Sequence, residues 1–210
     1  MGVAAVVRGL RLAAAGLGIA ALATALVQST GSVANFFSYF TVESNVLAIV
    51  VLVGGAVLTR CPRGWPYFRG AVTLYLAITG IVYALLLSDV DVQLSGRWMN
   101  ATLHEILPLF LLVDWIVFPP WPRASYRKAL GWLAFPLAFV AYSLIRGPIV
   151  DWYPYPFLDP RPHGYLPVVW TSVLIGLGMV VLALAVMWIG RRRLAAQSRS
   201  PAASTMSKRT

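Results

Sequence analysis

The sequence predicts an all-α integral membrane protein, a bundle of six transmembrane helices with both termini in the cytoplasm. Hydrophobic residues make up 59% of the 210 residues and charged residues only 11%, against roughly 25% charged in a soluble domain. Six apolar segments reach the length of about 20 residues that a helix needs to cross a bilayer. The basic residues collect in alternate loops, which is the pattern of the positive-inside rule.

The six spans are separated by loops in which glycine and proline are frequent, as expected where a chain turns. Their continuous apolar runs lack the period-two alternation of a membrane β-strand. The first run is longer than the roughly 7–15 apolar residues of a secretion signal, so we expect a retained helix. The predicted spans are 9–29, 37–58, 68–88, 99–118, 127–146 and 165–190.

Charge assigns the loops to two sides. On one side, the N-terminal segment, the loops after spans 2 and 4, the C-terminal tail and the adjoining first residues of the spans hold 14 of the 17 lysines and arginines, and none of the seven acids lies in these loops. We therefore expect this side to face the cytoplasm, with the protein in the cell membrane. The polar tail 194–210 is expected to be disordered. The arginine cluster at 191–193 has no interleaved aromatic residues, so we expect contact with lipid head groups and no nucleic-acid partner.

The cysteine and histidine content argues against a metal or cofactor. Cys61 is the single cysteine, so no disulfide can form within the chain, and only two histidines are present. No Cys/His spacing typical of a metal site occurs, and one histidine per bundle cannot ligate a haem from two sides. We expect neither a metal nor a cofactor.

Ionisable groups within a span cost about 2.5–3.5 kcal/mol each on insertion scales, so each needs a partner or a purpose. Asp114 lies near the cytoplasmic end of span 4. We expect it to pair with Arg123 or Arg127 from the following loop.

Span 2 has a polar face. At about 100° per residue, Thr41, Ser44 and Asn45 fall on one side of the helix, and Glu43 points to nearly the opposite side. One wall of this otherwise apolar span is therefore predicted to face polar groups in the bundle.

Span 4 has a polar face at the same depth. Asn100 and His104 share one side of it, and Glu105 lies about 100° away. Both spans enter from the external side, with Thr41 about five residues into one and His104 about six residues into the other. At about 1.5 Å per residue, both lie roughly 8–9 Å below the membrane boundary. The hydroxyl and the imidazole are therefore predicted to meet.

A hydroxyl beside an imidazole is the arrangement of a nucleophile and its general base. We expect Asn45 or Asn100 to donate a hydrogen bond to a developing oxyanion, and Glu43 or Glu105 to orient the imidazole. The alternative is structural. Threonine and serine in membrane helices commonly bond back to a carbonyl of their own helix or hold two helices together, and a lone histidine can do the same.

The loop between spans 5 and 6 is rich in aromatic residues and proline from Arg146 to Asp159. It is too rigid for a flexible linker. Two interpretations stay open: a lid that brings Arg146, Trp152 and Tyr153 to a substrate in an external cavity, or an aromatic anchor at the membrane interface.

Three segments together resemble a known family. They are NFFSYFTVESN at the start of span 2, a histidine followed shortly by Leu-Pro in span 4, and WYPYPFL before span 6. The chain resembles the androgen-induced membrane protein family, and more narrowly its bacterial Pr6Pr membrane proteins, up to about Gly190. Animal members are multi-pass threonine hydrolases that cleave fatty-acid esters of hydroxy fatty acids with one intramembrane Thr and one His. The resemblance implies these roles for Thr41 and His104.

The leading hypothesis is an intramembrane lipid-ester hydrolase in which Thr41 attacks the ester carbonyl and His104 accepts the hydroxyl proton. Its partners would be membrane lipids and a lipid-like substrate. The alternative is a non-catalytic small-molecule carrier or lipid-binding sensor in which the same polar wall binds without cleaving.

Overall fold

The computed structural model describes residues 2–60, 62–87, 96–119 and 125–198. Every regular element in these ranges is helical, so the all-α prediction is confirmed for them. Cys61, Arg123 and residues 199–210 of the tail lie outside the described residues.

Six helices are long and apolar enough to cross a membrane, as the sequence predicts. A four-residue helix, Val33–Phe36, precedes the second of them, and a 3-10 turn, Pro156–Leu158, precedes the last. The six are α1 (Val3–Gln28), α2 (Phe40–Val57), α3 (Trp65–Leu87), α4 (Arg97–Val117), α5 (Tyr126–Val150) and α6 (Tyr165–Ser198).

The start of α1 and the end of α6 differ most from the prediction. Helix α1 begins at Val3, several residues before the predicted start, and includes both arginines of the N-terminal segment. Helix α6 continues to Ser198, so the tail predicted to be disordered from residue 194 is helical over its first five residues. Arginine, leucine, alanine and glutamine favour helix strongly enough to extend it past the apolar span.

Helix α3 lies at the centre of the bundle and α5 at its edge. The former is the most buried of the six and packs against α2, α4 and α6, whereas α5 is the least buried. Helix α1 packs on α2 through a stripe of small side chains that permits a close helix approach. This stripe consists of Ala14, Ala15, Gly18, Ala21 and Ala25.

A buried ion pair joins three helices at the end of the bundle that the sequence assigns to the cytoplasm. The carboxylate of Asp114 lies 2.8 Å from guanidinium nitrogens of both Arg11 and Arg69. Arg11 also donates to the carbonyl of Gly55 on α2. The prediction is wrong for Arg127, which is exposed, whereas Arg123 lies outside the described residues. Position along the chain favours the following loop, but α1 and α3 are the neighbours of this part of α4.

The backbone of α4 departs from α-helical geometry around His104. Thr102–Ile106 forms a π-helical turn, and Pro108 has no N–H to donate to the His104 carbonyl four residues earlier. A Cβ atom on Gly80 of α3 would lie only 2.8 Å from this carbonyl oxygen. The glycine therefore lets α3 approach the turn that presents the imidazole.

Candidate active site

The two side chains that the depth argument places together are in contact. Thr41 Oγ1 lies 3.3 Å from His104 Nε2. Both residues are buried, with 4% and 3% of their surface exposed. Thr41 lies in the first turn of α2, whereas His104 is carried by the π-helical turn of α4 and its ring stacks on Tyr83 with centroids 4.1 Å apart.

The hydrogen bonds of His104 determine which ring nitrogen carries the proton. Nδ1 lies 3.2 Å from the backbone carbonyl oxygen of Asn100. Because a carbonyl only accepts, Nδ1 is the protonated nitrogen, and Nε2 presents its lone pair to the Thr41 hydroxyl. This is the tautomer that a general base needs.

Tyr155 completes the site, and the sequence analysis did not identify it. Its hydroxyl accepts the Thr41 backbone N–H at 3.1 Å and lies 3.2 Å from Thr41 Oγ1. Since the Thr41 proton points to the imidazole, the Tyr155 O–H donates to Oγ1. Burial raises the pKa of Tyr155 to about 12, which keeps the phenol protonated.

Thr41 differs from the other buried hydroxyl residues of the first four helices. Thr73, Thr79 and Thr102 each donate to the carbonyl four residues earlier, at 2.8–2.9 Å. Ser38 does the same. These four follow the structural interpretation of polar side chains in membrane helices. Among the described residues, the Thr41 hydroxyl bonds only across the bundle, to His104 and Tyr155.

Ser44 and Asn45 form hydrogen bonds that hold the helices together. Ser44 Oγ donates to the Thr41 carbonyl and lies 3.2 Å from Thr79 Oγ1. The amide nitrogen of Asn45 donates to the carbonyls of Thr41 and Leu103. Both amide protons are therefore used, so Asn45 has none to offer an oxyanion, contrary to the prediction.

Neither predicted glutamate orients the imidazole. Glu105 is exposed, Glu43 is half-buried on the opposite face of α2, and the described residues contain no hydrogen bond from either to His104. Burying a carboxylate beside the imidazole would cost more free energy in lost hydration than the hydrogen bond would return. The backbone carbonyl of Asn100 orients the imidazole instead. The buried side-chain oxygen of Asn100 has no hydrogen-bond partner within the described part of the chain.

The three residues predicted to form a lid lie away from the site. Arg146 donates to the Asn35 side chain at 2.7 Å and stacks on Trp152, while Tyr153 lies under the guanidinium of Arg161. None of the three predicted residues lines the cavity described below. Arg146 ties the end of α5 to the short helix Val33–Phe36, and Tyr153 packs within its own loop, so the lid interpretation fails for the three residues.

A cavity of about 520 Å³ lies beside the pair, bounded by α2, α3, α5 and α6. Thr41 and Tyr155 line it, and His104 does not. The loop contributes Phe157 and Leu158 as well. Apart from Thr41, Tyr155, Thr79 and Ser172, the lining side chains are apolar. A ligand in this cavity would reach the hydroxyl, with the imidazole behind it.

Among the described residues, no group of three or more His, Cys, Asp or Glu side chains is arranged to hold a metal ion. Comparisons with protein-family models, with curated proteins and with solved structures find no match for this chain.

Proposed function

We propose that this protein is a multi-pass protein of the cell membrane that hydrolyses lipid esters, with Thr41 as the nucleophile and His104 as the general base. The observation that carries the proposal is the 3.3 Å contact between Thr41 Oγ1 and His104 Nε2, with Nδ1 bonded to a backbone carbonyl. A hydroxyl nucleophile needs an acceptor that is already oriented and deprotonated on the side that faces it.

The distribution of basic residues supports an orientation with both termini in the cytoplasm. In this orientation the site lies in the outer half of the bilayer, because Thr41 and His104 are near the external ends of α2 and α4. Reporter domains fused to either terminus would be active in the cytoplasm. Activity on the external side would contradict the topology without bearing on the chemistry.

The reaction proceeds in two stages. Thr41 Oγ1 forms a bond to the ester carbonyl carbon as its proton passes to Nε2 of His104. The Tyr155 O–H, which donates to Oγ1 before the attack, turns to the carbonyl oxygen as charge develops there. The carbon–oxygen bond to the alcohol then breaks, and the alcohol leaves with the proton from His104. Water attacks the acyl-threonine with the same base, releases the fatty acid and restores Thr41.

The apolar lining of the cavity favours a long-chain substrate whose reacting group is uncharged. Its lining offers aliphatic and aromatic surface and no charged side chain, and a buried charge without a partner is costly. The resemblance to the androgen-induced membrane protein family points to the same class, esters of fatty acids. Membership of that family is part of the proposal, with Thr41 and His104 as the shared residues.

A carrier or lipid-binding sensor is the competing candidate. It is favoured by one observation, that His104 does not line the cavity, so a ligand can bind there without contacting the imidazole. Binding without turnover would be its signature.

The test combines turnover with covalent labelling. Detergent-solubilised protein is treated with a fluorophosphonate probe and assayed on long-chain esters. We expect Thr41→Ala and His104→Ala to lose labelling and to lower kcat by about a hundredfold or more. Thr41→Ser should retain labelling and turnover.

Thr73→Ala is the matched control, since this buried threonine bonds only within its own helix. Equal loss in the control would show that the site variants act by unfolding. Turnover that survives in Thr41→Ala would contradict Thr41 as the nucleophile. Bound lipid without turnover in the unaltered protein would contradict the hydrolase and support the carrier or sensor.

A further inference from the structure

The cavity continues away from Thr41 as a long groove between α5 and α6. Its lining on α6 extends from Val168 to Val180 and on the other side from Leu144 to Leu133. Twelve residues of helix span about 18 Å. Half of a hydrocarbon core of about 30 Å is about 15 Å, so the groove is about as long as one acyl chain in one leaflet.

The groove is open along its side. Leu137 of α5 and Val173 and Leu177 of α6 line it and are 68%, 47% and 59% exposed. Buried Ile78 and Met179 line its inner wall. Apolar surface lines both the mouth and the wall, so the opening faces the region that lipid chains occupy around a membrane helix.

Gly176 marks a position about two-thirds of the way along the groove, about 12 Å from Val168. A Cβ atom built on it would meet nothing within 4 Å. Gly178, two residues further on, is equally unobstructed but does not line the groove. Two residues rotate a helix by about 200°, so the two glycines face opposite sides.

We infer that this groove binds a single acyl chain that enters sideways from the membrane, with its carbonyl end at Thr41, and that the space beside Gly176 determines how long a chain it accepts. The polar groups at the Thr41 end suit a carbonyl, and the open side lets a lipid enter without leaving the hydrocarbon. The identity of the reacting group rests on the proposed ester hydrolysis, whereas binding of the chain does not.

Gly176→Leu tests the inference against Gly178→Leu. Both substitutions replace glycine by leucine on the same helix, with the same gain in helix propensity, but only the first fills the groove. The first readout is the ratio of kcat/KM for the octanoyl and palmitoyl p-nitrophenyl esters. Each methylene that is buried contributes about fourfold to affinity.

If two methylenes are displaced, Gly176→Leu lowers kcat/KM for the palmitoyl ester by about tenfold or more and leaves the octanoyl ester, which ends short of residue 176, nearly unchanged. Gly178→Leu leaves the ratio as in the unaltered protein. A ratio that does not change in Gly176→Leu, or that changes equally in both variants, would overturn the inference.

The second readout does not need hydrolysis. Thr41→Ala protein in lipid nanodiscs is photolabelled with methyl palmitate that carries a diazirine near the far end of its acyl chain, and the labelled peptides are identified by mass spectrometry. We expect label on α5 and α6 near Leu133 and Val180, and its loss in Thr41→Ala/Gly176→Leu but not in Thr41→Ala/Gly178→Leu. Label elsewhere, or label that both double variants retain, would refute the groove.

The two readouts separate the inference from the proposed function. Labelling that depends on residue 176, in a protein that hydrolyses no ester, would sustain the groove and refute the hydrolase. Hydrolysis that depends on Thr41 but not on residue 176, with label elsewhere, would sustain the hydrolase and refute the groove.

Discussion

Tyr155→Phe removes one oxygen atom and leaves the volume of the side chain in place. The ring would keep its contacts with Tyr39, Phe139 and Phe157. The oxygen accounts for two hydrogen bonds, from the Thr41 backbone N–H at 3.1 Å and to Thr41 Oγ1 at 3.2 Å. Without it a buried backbone N–H in the first turn of α2 has no acceptor, which costs about 1–3 kcal/mol of stability.

The effect on catalysis should be larger than the effect on stability. A donor aimed at a developing oxyanion is worth about 10²–10³ in kcat, and we expect Tyr155→Phe to lower kcat within this range with a smaller change in KM. Because the pKa of Tyr155 is raised to about 12, the phenol keeps its proton as pH rises through the usual tyrosine range near 10. The contribution of Tyr155 to kcat should therefore persist there and be lost only near pH 12.

Tyr153→Phe is the control, since this neighbour belongs to the same loop and lies under Arg161 instead of at Thr41. Initial rates on one long-chain ester give kcat and KM for both variants, and thermal unfolding in detergent gives their stability. If Tyr155→Phe keeps its kcat while Thr41→Ala loses it, the phenol does not stabilise the transition state. Equal losses in both tyrosine variants would attribute the effect to the loop.

Four further outcomes follow from the packing and the ion pairs. Gly80→Ala places a Cβ atom 2.8 Å from the His104 carbonyl oxygen. This overpacking should cost about 1–3 kcal/mol of stability, and the displaced imidazole should lower kcat about tenfold or more. Gly16→Ala, in open space, should leave stability and kcat unchanged. Asp114→Asn leaves two buried arginines without their counter-ion and should cost about 3–5 kcal/mol by thermal unfolding. Arg161→Gln breaks exposed ion pairs and should cost no more than about 1 kcal/mol in the same assay. Thr102→Ala removes a hydroxyl that bonds only within its own helix, and ester turnover should remain within about twofold of the unaltered protein because such bonds add little to function.

The long helices and the Thr41–His104 contact were predictable for a common reason. A membrane helix has a known rise per residue and enters from a known side, so depth can be counted along the chain. Two polar groups at equal depth in an apolar bundle are then expected to meet. The partners of Asp114 were not predictable in this way, because several arginines lie at a similar depth and only the helix arrangement selects Arg11 and Arg69.

The groove and Tyr155 were not predictable for a different reason. Helices α5 and α6 are apolar on nearly every face, so hydropathy does not distinguish a residue that lines a cavity from one that contacts lipid. Tyr155 lies in a segment between helices, with no period from which the direction of a side chain can be counted. Proline at alternate positions fixes this segment, and only the structure shows that Tyr155 contacts Thr41 whereas Tyr153 packs away from it, against Gly147 and Arg161.

One cluster links the groove to the hydrogen-bond network. Tyr155 and Leu158 pack with Leu87, Phe139 and Val168 into a small core of their own, between α5 and the start of α6. This core holds the phenol against Thr41 and fills the space where the two helices would otherwise close on each other. An acyl chain in the groove therefore contacts the same side chains that fix Tyr155. Because packed cores transmit displacement, an acyl chain that fills the groove should shift the Tyr155 phenol beside Thr41. Binding of the chain and orientation of the Tyr155 hydroxyl are therefore expected to be coupled.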